Sequence, residues 1–312
     1  MQLKPKYRKV INYLIKFSVL LFISWLLFNQ LNKYNFQKTG FPRLEMPFYF
    51  ILTILLAPVN IGSEYIKWKY TLNTIGTAST PTVRLRSFLS GFLTGFLTPN
   101  LLGNFIGRMF YFKRAFRPSI ILLTLLSNAA QFIASILFGA LGILWIGFPA
   151  VIPSEYISFV YLFCILSVLV AVILYFYAER LPISFLHRNK YIQKTAENLK
   201  NSPSLRWQFI AWSLFRHFVF SLQYYLLLKS FGLPVSFSWF ASIWQVFLWT
   251  TLIPSVWFGK IGIRESVAVV LLTPLCNEPF YILSASVVLW IINQAFPSVA
   301  GIPFLTKKSN MI

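Results

Sequence analysis

Acidic, histidine and cysteine side chains are scarce in this sequence. Seven Asp and Glu residues face 28 Lys and Arg residues, and there are two histidines and two cysteines. Cys164 and Cys276 both lie in apolar stretches, as is typical of small buried hydrophobic residues. No metal-ligand spacing, Ser-His-Asp set, phosphate-binding glycine loop or pair of catalytic carboxylates can be assembled from the chain. The sequence therefore predicts a protein that is not an enzyme and uses no metal or cofactor.

Long apolar runs are abundant instead. Hydrophobic residues make up 57% of the chain and charged residues 11%, with a mean hydropathy of +0.67. In water such a chain would expose large apolar patches, whereas a helix of about 20 apolar residues crosses a bilayer. The candidate spans are 10–28, 46–61, 118–147, 157–178, 207–229, 236–256 and 280–300. With two shorter segments, 87–106 and 265–276, they predict an all-α polytopic membrane protein of about seven or eight transmembrane helices.

The net charge of +21 indicates membrane topology rather than nucleic-acid binding, because no nucleic-acid-binding motif accompanies it. The basic clusters lie at 4–9, 67–69, 84–86, 108–117, 179–206 and 307–308. By the positive-inside rule they share the cytoplasmic side only if segment 87–106 enters and leaves the membrane on one face. This predicts a multi-pass protein of the bacterial inner membrane with both termini in the cytoplasm. Residues 1–306 would form one membrane domain, with a basic cytoplasmic loop at 179–206 and a short cytoplasmic tail at 307–312.

Two segments of the chain resemble each other and predict broken, re-entrant helices. Each runs from a proline through two glycines to an arginine, within 87–108 and within 253–276. Proline breaks a helix and glycine permits close backbone approach, and paired interruptions are typical of transporters with inverted repeats. The alternative is that these residues only kink ordinary membrane helices.

Both segments resemble the paired motifs of the lysylphosphatidylglycerol synthase transmembrane (flippase-like) family of bacterial and archaeal membrane proteins. The first motif is matched by Pro99, Asn100, Gly103, Gly107 and Arg108, and the second by Pro254, Gly259, Gly262, Arg264 and Glu265. One position departs from the pattern: Asn104 stands where the family usually has a carboxylate. If that acid pairs with an arginine or takes a proton in relatives, this chain cannot do so there.

The resemblance implies that the protein translocates a polar lipid or supplies one to another enzyme. In well-known relatives the membrane domain precedes a soluble aminoacyltransferase domain. About eleven residues follow Gly301 here, so we expect that this chain does not itself make a lysyl-lipid.

The candidate headgroup site combines charged and amide side chains. Arg108, Arg216 and Arg264 would contact the phosphate of a membrane lipid, because the guanidinium fork suits that group. Glu265 would orient Arg264, and Asn100, Asn104 and Gln223 would add neutral polar contacts.

Structural alternatives remain for several of these charged residues. Arg216 lies in the middle of an apolar span, where a charge needs a partner, so it could belong to a structural ion pair with Glu64 or Glu265. Glu64, Lys67 and Lys69, with Trp68, are also typical of an anchor at the membrane interface.

Two rival functions stay open at this point. The protein could be a non-transporting partner that docks a lipid-modifying enzyme or glycosyltransferase on loop 179–206. It could also be a membrane transferase acting on a lipid, although no plausible base is found.

Single cysteines test the hairpin topology. In a background lacking Cys164 and Cys276, Arg86→Cys and Lys113→Cys should react with a membrane-impermeant thiol reagent from the cytoplasmic side only, because both flank one re-entrant segment. Labelling of the two positions from opposite sides would exclude the hairpin.

Overall fold

The computed structural model of the protein describes residues 42–77, 79–98, 102–147, 155, 157–177, 190–201, 204–253, 260 and 262–305. Several sequence predictions fall outside the described residues: span 10–28, residues 179–189 and 202–203 of loop 179–206, tail 307–312, and motif residues Pro99, Asn100, Pro254 and Gly259.

Helices account for all regular structure in these described ranges, so the all-α prediction is confirmed. In chain order they are α1 (Pro47–Ile75), α2 (Pro81–Phe96), α3 (Asn104–Met109), α4 (Arg117–Ile146), α5 (Ile157–Tyr177), α6 (Lys190–Asn201), α7 (Ser204–Ser230), α8 (Trp239–Leu252), α9 (Ile263–Cys276), α10 (Pro279–Trp290) and α11 (Phe296–Leu305). A π-helical turn, Ile291–Ala295, joins α10 to α11.

Among the described residues, three helical stretches are long and apolar enough to cross a bilayer: Pro47–Ile75, Arg114–Ile146 and Pro279–Phe304. Large apolar side chains on them, such as Phe48, Leu144 and Phe296, remain exposed on the protein surface. Lipid is the solvent in which such a surface is stable, so the chain is a membrane protein. The count of seven or eight spans and the inverted repeat stay predictions.

Helix α1 continues well past residue 61, where its span was predicted to end. It stops at Gly76, whose left-handed backbone (φ 72°) terminates the helix. Glu64, Lys67 and Trp68 are buried against other helices, so the interpretation of these residues as an interfacial anchor is wrong. The span was predicted to end at residue 61 because polar residues follow it. The helix continues because these side chains have their partners inside the protein.

The largest hydrophobic core surrounds the C-terminal half of α7. Tyr224 and Leu227 of α7 pack with Ile243 of α8, Val269 of α9 and Ile282 of α10. The N-terminal half of α7 packs on α4 through Phe209 and Ile210, and α1 contacts both halves, at Ser213 and at Gln223. Helix α7 therefore lies at the centre of the helix packing, with Arg216 in its middle.

Helix α7 also begins earlier than predicted, at Ser204. Arg206, assigned to the basic loop, is a buried residue of this helix, and its guanidinium donates to the carbonyl oxygen of Phe176 at 2.7 Å. Arg206 was predicted to lie in the cytoplasmic loop because it is charged. It is buried instead, since a backbone carbonyl in the last turn of α5 accepts a hydrogen bond from its guanidinium group.

Helices α2 and α3 form an antiparallel hairpin across the first Pro/Gly break. The Thr94 hydroxyl oxygen accepts a hydrogen bond from the Gly107 N–H at 3.0 Å, and the Thr98 hydroxyl accepts from the Gly103 N–H at 2.7 Å. The two backbones touch at Gly107, where a Cβ atom would overlap the carbonyl oxygen of Ser90. This close approach brings the next residue of α3 into the protein interior.

Gly107→Ala should force the hairpin apart. Overpacking of this kind costs about 1–3 kcal/mol of unfolding free energy, which SDS titration of the purified protein in mixed micelles measures. Gly62→Ala is the matched control, since a Cβ on Gly62 of α1 meets no other part of the described protein within 4 Å, and alanine favours a helix. Wild-type stability of Gly107→Ala would contradict the close packing.

Candidate functional site

A cavity of about 550 Å³ lies between α1, α2, α4, α7 and α8, and α3 and the start of α9 complete its wall. Its polar and charged lining residues are Glu64, Asn104, Arg108, Asn128, Gln131, Ser135, Arg216, His217, Thr250, Thr251, Lys260, Arg264 and Gln294. Aromatic and aliphatic side chains, among them Phe92, Leu102 and Phe132, cover the rest. This size and mixed lining are typical of a small-molecule or headgroup site.

One carboxylate, that of Glu64, forms ion pairs with three cations at this wall. We call Glu64, Lys67, Arg108 and Arg216 the Glu64 centre. The Glu64 carboxylate lies 2.8 Å from Lys67 Nζ and 3.4 Å from a terminal guanidinium nitrogen of both Arg108 and Arg216. Lys67 and Arg108 are almost fully buried, and Arg216 keeps 18% of its side chain exposed. The centre therefore carries two positive charges in excess of its one carboxylate.

Arg108 retains a free hydrogen-bonding position at this centre. Its guanidinium carbon lies 5.0 Å from the ring centroid of Trp68 and 5.5 Å from that of Phe88, both favourable cation–π arrangements. Its Nε atom is buried and makes no hydrogen bond to another described residue. The ring faces hold the arginine in place and leave a donor without an acceptor.

A network of buried amides fixes Arg216. The Arg216 Nε donates to Asn60 at 3.1 Å, and the Asn60 amide donates to Gln223 at 3.2 Å and to Asn293 at 2.6 Å. Gln223 in turn donates to the carbonyl oxygen of Thr53 at 3.1 Å. Asn293 belongs to the π-helical turn, which lets it face α1 while the next residue, Gln294, lines the cavity.

The second Pro/Gly break supplies three further charged residues, Lys260, Arg264 and Glu265. Together with Ser286 of α10 we call them the Arg264 centre. Glu265 accepts from the Gly262 N–H at 2.7 Å, as the capping acid of α9, and pairs with Arg264 at 3.1 Å. Arg264 Nε also donates to the Ser286 hydroxyl at 3.3 Å. The acid thus both starts the helix and orients its neighbouring arginine.

Neutral groups line the wall between the two centres. Asn104 and Asn128 exchange amide hydrogen bonds of 3.0 and 3.1 Å. His217 stacks on Phe138 with ring centroids 4.8 Å apart, and its Nδ1 lies 3.4 Å from the Ser135 hydroxyl. In the described part of the chain, no three His, Cys, Asp or Glu residues stand close enough to hold a metal ion.

The predicted site residues separate into two layers. Arg108, Arg216, Arg264 and Asn104 line the cavity. Gln223 and Glu265 stand behind it, where they hold Arg216 through Asn60 and hold Arg264 directly. Asn100, Pro99, Pro254 and Gly259 lie outside the described residues. Gly103 and Gly262 precede α3 and α9, the helices of Arg108 and Arg264, and Gly107 packs α3 against α2.

Several residues of the site were not predicted. Lys260, Asn128, Gln131 and Gln294 line the cavity, and Lys67, Asn60 and Asn293 support it. A signal for part of this set exists in α1, where Asn60, Glu64, Lys67 and Thr71 fall on one helical face and are all buried. The polar residues that α4 and the π-helical turn contribute to the site do not show a comparable spacing in the sequence.

Removing the acid should destabilise the protein more than removing one of its cations. Glu64→Gln leaves three buried cations without a carboxylate, and breaking a buried ion pair in this way costs about 3–5 kcal/mol. Arg216→Gln leaves Glu64 paired with two cations, so its cost should be smaller.

The measurement is the unfolding free energy in mixed micelles. The double variant Glu64→Gln/Lys67→Met should recover part of the loss, because it also removes one unpaired charge. An equal or larger loss for Arg216→Gln than for Glu64→Gln would contradict the organising role of the carboxylate.

Comparison with known proteins assigns the chain to a family. A family model described as "Lysylphosphatidylglycerol synthase TM region" matches residues 13–301. No curated protein and no solved structure was found to match the chain. The matched range includes both Pro/Gly breaks and the three arginines of the cavity. The chain therefore belongs to the lysylphosphatidylglycerol synthase TM region family.

Proposed function

We propose that the protein binds the phosphate-bearing headgroup of a membrane lipid in this cavity and carries the lipid across the bacterial inner membrane. The observation that carries the proposal is the convergence of Arg108, Arg216 and Arg264 on one cavity. They come from three distant parts of the chain, and two of them come from the Pro/Gly breaks.

The chemistry of the lining favours a phosphate over other polar groups. Arginine forks bind phosphate with two parallel hydrogen bonds, and all three arginines line the cavity. Neutral amides beside the arginines, those of Asn104 and Asn128, suit the remaining polar atoms of a headgroup.

The surroundings of the cavity favour a lipid over a soluble phosphate. Phe92, Leu125, Phe132 and Phe220 contribute apolar wall next to the charged groups, so that part of an acyl or prenyl chain can remain in contact with protein. Apolar side chains also cover the outer faces of the long helices. A lipid can therefore keep its tail in the bilayer while its headgroup occupies the cavity.

Two re-entrant elements would give the headgroup a polar route from the membrane surface to the cavity. The α2–α3 hairpin turns back on itself within 81–109, and α9, 14 residues long, starts at the second break. Irregular backbone at membrane depth is stable where it lines a polar cavity. Both termini then lie in the cytoplasm, in accordance with the positive-inside rule.

Glu64 supplies a mechanism for loading and release. In the unloaded protein its carboxylate satisfies Arg108 and Arg216. An incoming phosphate takes over these two arginines, and Glu64 keeps its short contact with Lys67. When the phosphate leaves, the carboxylate re-forms the ion pairs, so the site is never left with three uncompensated cations. The step requires no covalent chemistry.

Lipid translocation in proteoliposomes tests the proposal. Headgroup-labelled phosphatidylglycerol moves between leaflets, and a membrane-impermeant quencher reports the initial rate. Arg108→Gln and Arg216→Gln should each lower that rate about tenfold or more, because a hydrogen bond to a charged group is worth about 1.5–3 kcal/mol.

The matched control is Lys194→Gln, which removes one positive charge from an exposed position of α6. It should leave the rate unchanged. Failure of the folded wild-type protein to move labelled anionic, zwitterionic and cationic lipids alike would overturn translocation.

A further inference from the structure

The cavity carries more positive charge than its carboxylates neutralise. Five cations stand in its wall or directly behind it, against two carboxylates, which leaves three positive charges. The cations are Lys67, Arg108, Arg216, Lys260 and Arg264, and the carboxylates are Glu64 and Glu265. Charges removed from water need compensation close by, so a ligand of this cavity must be strongly anionic.

No other described acid relieves the imbalance. The chain has no aspartate, and its first 41 residues contain no glutamate. Glu45, Glu155 and Glu197 are exposed, and Glu278, at the start of α10, does not line the cavity. The excess charge is therefore a property of the site and is not balanced elsewhere in the described protein.

The Arg264 centre contacts α7 one helical turn beyond the arginine of the Glu64 centre. Arg216 belongs to the Glu64 centre, and Phe220 follows it by four residues, a rise of about 6 Å. The guanidinium carbon of Arg264 lies 5.9 Å from the Phe220 ring centroid. Arg216, Phe220 and Arg264 all line the cavity, so both centres are open to the same ligand.

Lys260 adds a donor that the described residues do not fully use. Its Nζ donates to the carbonyl oxygens of Thr250 and Thr251, at 2.7 and 3.4 Å, in the last turn of α8. An ammonium group has three donors, so one has no acceptor among the described residues and can bind a ligand. The backbone of Lys260 has a left-handed φ of 65°, which is costly for a residue with a side chain and is maintained at the cavity wall.

From this charge balance and spacing we propose that the preferred ligand is a lipid diphosphate, with one phosphate group at the Glu64 centre and the other at the Arg264 centre. The inference deepens the proposed function and rests on it. A monophosphate headgroup would occupy one centre and leave the other without an anion. A zwitterionic or cationic headgroup would bring positive charge to a site that already has an excess.

Binding of a matched ligand series tests the charge requirement. The full-length protein in phosphatidylcholine nanodiscs is titrated calorimetrically, at constant ionic strength, with farnesol, farnesyl monophosphate, farnesyl diphosphate and inorganic diphosphate. Farnesyl diphosphate should bind at least about tenfold more tightly than the monophosphate, a difference of about 1.4 kcal/mol. Inorganic diphosphate should bind more weakly than its farnesyl ester; equal affinity would overturn the lipid as the ligand.

Variants at the Arg264 centre separate the second phosphate from the first. Arg264→Gln and Lys260→Gln should bring the two affinities to within about threefold of each other while monophosphate binding persists. Arg108→Gln should weaken both ligands. Arg264→Lys retains the charge but lacks the guanidinium fork, so it should keep more of the preference than Arg264→Gln and less than wild type. This variant distinguishes loss of charge from misfolding, and Lys194→Gln is the control for charge removal away from the cavity.

The outcomes distinguish this inference from the proposed function. Equal affinity of wild-type protein for the monophosphate and diphosphate esters, both dependent on Arg108, would overturn the diphosphate preference and leave lipid-phosphate binding intact. Binding of neither ester by the folded wild-type protein would overturn both.

Discussion

The ion pairs of Glu64 join helices that are distant in sequence and keep three cations inside the protein. Lys67 shares a helix with Glu64, Arg108 comes from the short helix of the α2–α3 hairpin, and Arg216 comes from the middle of α7. Without the carboxylate, these cations would repel one another in a medium that screens charge poorly. The seating of the hairpin against α1, and hence the shape of the cavity, depends on this one acid.

The same arrangement gives the site its affinity for anions. An acid shared by three cations satisfies each of them only in part, so an entering phosphate gains contacts without first breaking a complete ion pair. The amide network around Asn60 holds Arg216 from behind, and Glu265 and Ser286 hold Arg264. Because these supports fix the guanidinium groups before a ligand arrives, little ordering is left to oppose binding.

Much of the cavity could be predicted from the sequence, since an arginine in an apolar span, or next to a Pro/Gly break, has few explanations. Arg108, Arg216 and Arg264 were identified on that basis, and all three line the cavity. Lys67 was assigned to the membrane edge because local polarity cannot reveal that a carboxylate one turn away and a serine on α7 satisfy its ammonium.

The other features that the sequence did not predict depend on hydrogen-bond partners that are distant in sequence. Nothing in the residues around Asn104 indicates that Asn128, on another helix, completes its hydrogen bonds. Gln223 was expected to touch the headgroup, but it lies behind the cavity and accepts a hydrogen bond from Asn60. Glu265 pairs with Arg264, as the sequence predicted. Residue type was enough to predict that these residues belong to the site. Which of them face the cavity depends on tertiary packing, which the sequence does not show.

An experimental structure of the protein in a nanodisc containing a lipid diphosphate tests the central claim most directly. The account predicts density for a phosphate within hydrogen-bonding distance of Arg108 and Arg216, with Glu64 retained on Lys67 and the lipid tail leading away along apolar wall. A cavity of the same shape that contains only acyl chain or no lipid, with Glu64 still bound to both arginines, would contradict it.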